Sequence, residues 1–148
     1  MAIHLDEEIK GLIKDALVSG TPMILASVDA EGRPRLTFRG SLQPFSDDQV
    51  GFWARNAEGS TIRSIAANPS VAMIYRNPQT RVVLQLSGRA SIAQGAARDR
   101  VYENSPEFER NADPEKKGVA VIVDIDNVEA FLGVTSDGQR RTVRQQRD

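Results

Sequence analysis

Residues 80–92, TRVVLQLSGRASI, form the longest strand-like run of the chain, and a glycine sits inside it. Val82, Leu84 and Leu86 alternate with their neighbours, as a strand with a side-chain period of two requires, and the alternation fails past Gly88. A glycine inside a long strand marks a bulge or a sharp bend, the device by which a sheet turns the corner of a barrel. The runs around it read as hairpins. An apolar stretch at 23–28 (MILASV) is followed by the turn residues Asp29-Ala30-Glu31-Gly32 and a longer arm from Arg33 towards Leu42. Further strands are predicted at 50–54 and 71–75, before the turn Asn77-Pro78-Gln79, and then at 118–126 (GVAVIVDID) and near 128–134. Strands joined by hairpins, with helices set among them and no regular strand–helix alternation, predict a mainly β domain with flanking helices, folded as a small antiparallel barrel.

The helices are legible at 3.6 periodicity. Ile9, Leu12, Ile13, Ala16 and Leu17 share one face of residues 6–18, with Asp6 placed to cap and Glu7 and Glu8 suited to the first turn. This predicts an amphipathic lid on the core, with His4 solvated before it. Residues 94–109 predict another helix, Ala96, Ala97, Val101 and Tyr102 inward, interrupted at Pro106. Residues 136–148, SDGQRRTVRQQRD, are polar and predict a loose tail, which leaves 1–135 as a single domain.

Missing residue types bound the chemistry. The chain has no cysteine and one histidine, His4, so disulfides, thiol catalysis, a zinc site and a histidine dyad are all excluded. Acids lie among the first eight residues and no segment is apolar enough to span a bilayer, which predicts a cytoplasmic protein with no membrane partner. Residues 33–100 hold ten arginines against four acids, so an anion belongs in the middle of the chain. The eight aromatic residues sit in apolar patterns and do not interleave with basic ones, which argues against nucleic acid.

The stretch most informative about that anion is 52–75, FWARNAEGSTIRSIAANPSVAMIY, which reads strand, loop, helix, strand. Ile62, Ile65 and Ala66 give the helical period, Ser60 is placed as the N-cap, and Pro69 biases Asn68 out of the helix. A helix start offers unpaired N–H groups and the positive end of the dipole, so Ser60 and Thr61 with Arg55 nearby suit a phosphate. The same residues also serve as an ordinary cap, and both readings stay open. No lysine follows the glycine and only one glycine is present, so neither a Walker loop nor a dinucleotide fingerprint is there. On the arm before it, Arg35, Thr37 and Arg39 fall on one strand face and Leu36 and Phe38 on the other, again compatible with a solvated face.

This order of strand, basic loop, Ser-Thr, short helix, Asn-Pro and apolar strand resembles the pyridoxamine 5′-phosphate oxidase-like family, the FMN-binding split barrels, over about residues 10 to 135. The resemblance implies FMN held at a homodimer interface. Its phosphate would meet the strand bearing Arg35, Thr37, Phe38 and Arg39 and the helix start at Ser60 and Thr61, joined by Arg55. The ring would pass Trp53, Ala54 and Arg55, largely along backbone, and Gln85 would reach it from the other subunit. Two departures are visible. Ser60 and Thr61 stand where family enzymes commonly carry basic residues, and the tail has Arg140 and Arg141 without the histidine of the pyridoxamine phosphate oxidases, so that reaction is not assigned. A flavin brings its own redox chemistry, so no catalytic side chain is needed. The resemblance therefore implies an FMN-dependent oxidoreductase acting on a small organic substrate, with a nicotinamide cofactor or the substrate as reductant. The alternative is a carrier or stress-related sensor holding FMN, a deazaflavin or a haem-like ligand without turnover.

Overall fold

The computed structural model describes residues 1–148. Asp6 caps α1 (Glu7–Asp15), its carboxylate accepting from the Ile9 N–H at 2.9 Å, and the helix buries Ile9 and Ile13. Eight strands follow: β1 (Met23–Val28), β2 (Pro34–Arg39), β3 (Gln43–Pro44), β4 (Gln49–Ala54), β5 (Ser70–Arg76), β6 (Val83–Ala93), β7 (Val119–Val134) and β8 (Arg140–Gln146). Helix α2 (Ser60–Ala67) lies between β4 and β5, and α3 (Gly95–Asn104) and α4 (Glu107–Ala112) between β6 and β7. The predicted 94–109 helix is thus two helices, separated at Ser105 and Pro106.

All paired strands are antiparallel, in the order β2-β1-β5-β6-β7-β4-β3 with β8 also on β7. The sheet curls into a split barrel. The division is made on β7, a single strand where the sequence predicts two. Its first half carries β4, from Val119↔Ala54 to Asp124↔Gln49, and its second half carries β8, from Asn127↔Gln146 to Val134↔Arg140. β6 runs along both halves, with a register shift between Ser87 and Gly88. A Cβ on Gly88 would stand 2.0 Å from the Asp124 carbonyl oxygen, so only glycine lets the two strands close at the bend. Residues 136–148 are polar but not a loose tail, because Arg140–Gln146 pairs with β7, and the Gln145 side chain exchanges hydrogen bonds with the His4 backbone at 2.7 and 2.9 Å. Local polarity predicts exposure, which β8 has; the waiting edge of β7 is a tertiary feature that polarity does not report.

The main core fills the barrel: Met23, Leu25, Val50, Phe52, Met73, Leu84, Leu86, Val121, Val123 and Ile125 point inward, and Ile9 and Ile13 of α1 close one end. A smaller core lies on the other side of β4 and β7, where Trp53, Ala120 and Ile122 pack under Val101 and Tyr102 of α3. β4 is therefore buried on both faces, which is why its residues read as an unbroken apolar run. Trp53 and Tyr102 meet edge to face at 4.9 Å, and the indole N–H donates to Asp113 at 2.9 Å.

Candidate functional site

β2 pairs with β1 so that Arg35, Thr37 and Arg39 face the same way as Ser27, Leu25 and Met23, towards the barrel, while Leu36 and Phe38 face outward beside Ala26 and Ile24. Past Arg39 the chain turns through Gly40 to Ser41, whose hydroxyl accepts from the Trp53 N–H at 2.9 Å and donates to the Trp53 carbonyl at 3.0 Å. One side chain thus ties the end of β2 to β4, and the cleft between those strands opens onto the start of α2.

A cavity of about 250 Å3 lies there, lined by Thr37, Arg39, Ala54, Asn56, Gly59, Ser60, Thr61 and Ile62. Gly59, not Ser60, is the N-cap of α2, and having no side chain it caps nothing, so the first N–H groups of the helix receive no side-chain partner. Thr61 is buried and its hydroxyl accepts from an Arg39 terminal nitrogen at 2.6 Å. The Arg39 guanidinium lies over the Phe52 ring, 5.3 Å from its centroid. Burial, with the Arg55 charge nearby acting in the same direction, lowers the Arg39 pKa from its ordinary value, and an arginine stays charged regardless. Two buried polar atoms beside this cavity have no partner: the Thr37 Oγ1 and the Arg39 Nε. Buried polar groups are nearly always paired, and two unpartnered donors beside a helix start without a side-chain cap are chemically able to take an anion with several acceptor oxygens. A phosphate fits that description.

The structure does not gather all the residues singled out in the sequence. Arg35 is exposed further along β2, and Arg39 is the arginine at the cavity. Arg55 turns away: its Nε pairs with Glu109 of α4 at 3.3 Å, and it lines a neighbouring cavity of about 510 Å3 with Phe38, Gly40, Ser41 and Glu109. Ala54 lines the same cavity as Thr37 and Arg39, whereas the Trp53 side chain is committed to the smaller core. Gln85 lies on the outside of the sheet, opposite Ile74 and Glu129, in a shallow cavity of about 390 Å3 with Ile24, Ala26, Leu36 and Ala72. Asn56 and Glu109 were not singled out. Asn56 reads only as part of the loop after the 50–54 strand and Glu109 only as the last residue of the predicted 94–109 helix; the position of its carboxylate beside Gly40 is tertiary.

The sequence pattern of the family described as pyridoxamine 5′-phosphate oxidase matches residues 5–130. The chain belongs to this family. Solved structures with the same fold include PhzG from Burkholderia lata 383 in complex with tetrahydrophenazine-1-carboxylic acid, 15% identical, TM-score 0.69, covering 95% of this chain and 85% of that one. A pyridoxamine 5′-phosphate oxidase-related, FMN-binding protein from Nostoc punctiforme PCC 73102 is 14% identical with a TM-score of 0.65, covering 90% and 91%. An F420 reductase is 21% identical with a TM-score of 0.61, covering 80% and 94%. No curated protein matches the chain significantly. Fold and family are common to the oxidase-related protein and this chain, and a flavin-type cofactor is consistent with both. No helix is long and apolar enough to cross a membrane.

Proposed function

We propose that the chain binds FMN, with the phosphate in the cavity between Thr37, Arg39, Ser60 and Thr61, and acts as a cytoplasmic flavin-dependent oxidoreductase on a small organic substrate. The observation that carries this reading is the pair of orphaned atoms, Thr37 Oγ1 and Arg39 Nε, beside a helix start without a side-chain cap. When bound, the flavin supplies the electron transfer, with a reduced nicotinamide as donor; the protein's share is to hold the phosphate, orient the ring and keep out water. The FMN-binding neighbour supports the cofactor. The F420 reductase neighbour favours a second reading, a deazaflavin held in the same place, either for turnover or by a carrier.

The proposal includes a homodimer. Along β1 and β5 the outward residues Ile24, Ala26, Ala72 and Ile74 are as apolar as a second buried face requires, and Leu36 and Phe38 beside them are 72% and 69% exposed. A second copy covering that face would bring Gln85 into a shared cleft.

Absorbance of the purified protein tests the cofactor: flavin bands near one per chain are expected, bleached by reduced nicotinamide under anaerobic conditions. Flavin that binds but is not reduced points to the carrier, and a preference for the deazaflavin over FMN replaces the cofactor. Light scattering is expected to return twice the chain mass; a monomer that still binds flavin removes Gln85 from the site.

A further inference from the structure

The larger cavity at the end of β2 holds an ion pair, Arg55 with Glu109, that the phosphate pocket does not use. Arg39, Arg55 and Glu109 line it with Phe38 and with Trp53, whose ring lies in the smaller core behind. Without a phosphate on Arg39, two guanidinium groups against one carboxylate leave the cavity electropositive; with one, the half-exposed Arg55 is the cation that remains on offer. The two partners of the Arg55–Glu109 pair are also unequally placed: the Glu109 side chain is 10% exposed, packed near Gly40, while the Arg55 side chain is 50% exposed. A ligand entering the cavity therefore meets the guanidinium before the carboxylate.

The geometry of that pair settles which part of Arg55 is on offer. Glu109 lies 3.3 Å from the Nε, the one ion pair Arg55 makes, and neither terminal nitrogen donates a hydrogen bond within the chain. A guanidinium held at Nε presents its terminal pair as a planar fork that matches a carboxylate with two parallel hydrogen bonds. An amine would instead have to take Glu109 from Arg55, and a neutral ligand would leave the terminal nitrogens of Arg55 without a charged partner.

We propose that this cavity binds the carboxylate of a small aromatic acid, anchored on the terminal nitrogens of Arg55, with Glu109 as the positioning residue that holds the fork and Phe38 as apolar wall. The cavity shares Arg39 and Asn56 with the phosphate pocket. That the acid is the substrate rests on the flavin reading; that the cavity binds it does not.

Trp53 is the only tryptophan and borders the cavity, so its fluorescence reports occupancy. Benzoate, benzamide and benzylamine have similar size and differ in charge. Benzoate is expected to bind at least about tenfold more tightly than benzamide, the scale of one charge-assisted contact, with benzylamine weakest. Arg55→Gln is expected to bring benzoate down to the level of benzamide. Arg55→Lys, which keeps the charge and loses the fork, is expected to fall between, and it carries the test if melting curves show the glutamine variant unfolded. Equal binding of benzoate and benzamide, tightest binding of benzylamine, or an unchanged benzoate preference in both variants overturns the proposal. The titrations are run with and without saturating FMN. Benzoate preference in a protein that binds no FMN fails the flavin reading alone, FMN binding without that preference fails the carboxylate site alone, and benzoate that expels FMN puts the flavin in this cavity and overturns the site.

Discussion

Thr37→Val should move stability and affinity in opposite directions, which few substitutions do. The Thr37 Oγ1 is buried on a strand paired with β1 and has no partner in the chain. Leaving a buried hydroxyl unpaired costs about 1–3 kcal/mol, and valine keeps the β-branched shape while removing the oxygen. Without ligand the variant is expected to be more stable by about 1 kcal/mol, a rise of roughly 2–4 °C in Tm for a chain of this size. With FMN the sign reverses. A hydroxyl donating to a phosphate is a charge-assisted bond worth about 1.5–3 kcal/mol, so the Kd for FMN should rise by about ten- to a hundredfold. Riboflavin has no phosphate, and its affinity should stay close to that of the native protein. Circular dichroism melts without ligand and flavin-fluorescence titrations with FMN and riboflavin read both effects. A variant that melts below the native protein shows that the hydroxyl is already satisfied in the fold. Unchanged FMN affinity places the phosphate elsewhere, and an equal loss for both flavins assigns Thr37 to the ring.

The two arginines at the end of β2 should separate in the same titrations: Arg39→Ala is expected to weaken FMN by about ten- to a hundredfold, and Arg55→Ala to leave the FMN-to-riboflavin ratio unchanged, because Arg55 is turned to Glu109. Burial pushes the Asp113 carboxyl up, but donation from the Lys117 and Gly118 N–H groups and the Trp53 indole outweighs it and holds the pKa below the ordinary value. The unfolded chain therefore takes up that proton first, so the stability Asp113 contributes is full above the ordinary carboxylate range and is lost as pH falls through its lowered value. An acid titration followed by Trp53 fluorescence should show this loss in the native protein and not in Asp113→Asn, which should also be less stable at neutral pH. Gly88→Ala is expected to cost several kcal/mol or to prevent folding, since its Cβ would meet the Asp124 carbonyl at 2.0 Å; a denaturant melt within 1 kcal/mol of native would show that the β6 bend can widen.

Much of this protein is readable along the chain because its determinants are local. The Asp6 cap with its acidic first turn and the Asn68-Pro69 stop after α2 act within a few residues and stand where the sequence places them. The period-two alternation of β6, expected to fail past Gly88, runs on to Ser91, because the extra residue of the register shift, Asp126, lies on β7. The face shared by Thr37 and Arg39 follows from strand geometry alone. What a local pattern does not carry is which edge meets which. β7 is continuous because β6 pairs with it from Ala120 to Phe131, across both halves, and β8 is a strand because the second half of β7 had an open edge, although RRTVRQQ by itself is as polar as a tail. The same reason divides the site. Thr37, Arg39 and Thr61 converge because the cleft between β2 and β4 opens on α2, while Arg55, nearer to Thr61 in sequence than either, is drawn to a carboxylate that α4 brings from residue 109. Residue types and spacing put the excess of arginine in the middle of the chain; only the tertiary packing that sets Glu109 beside Gly40 decided that Arg39 lines the cavity at α2 and Arg55 turns away from it.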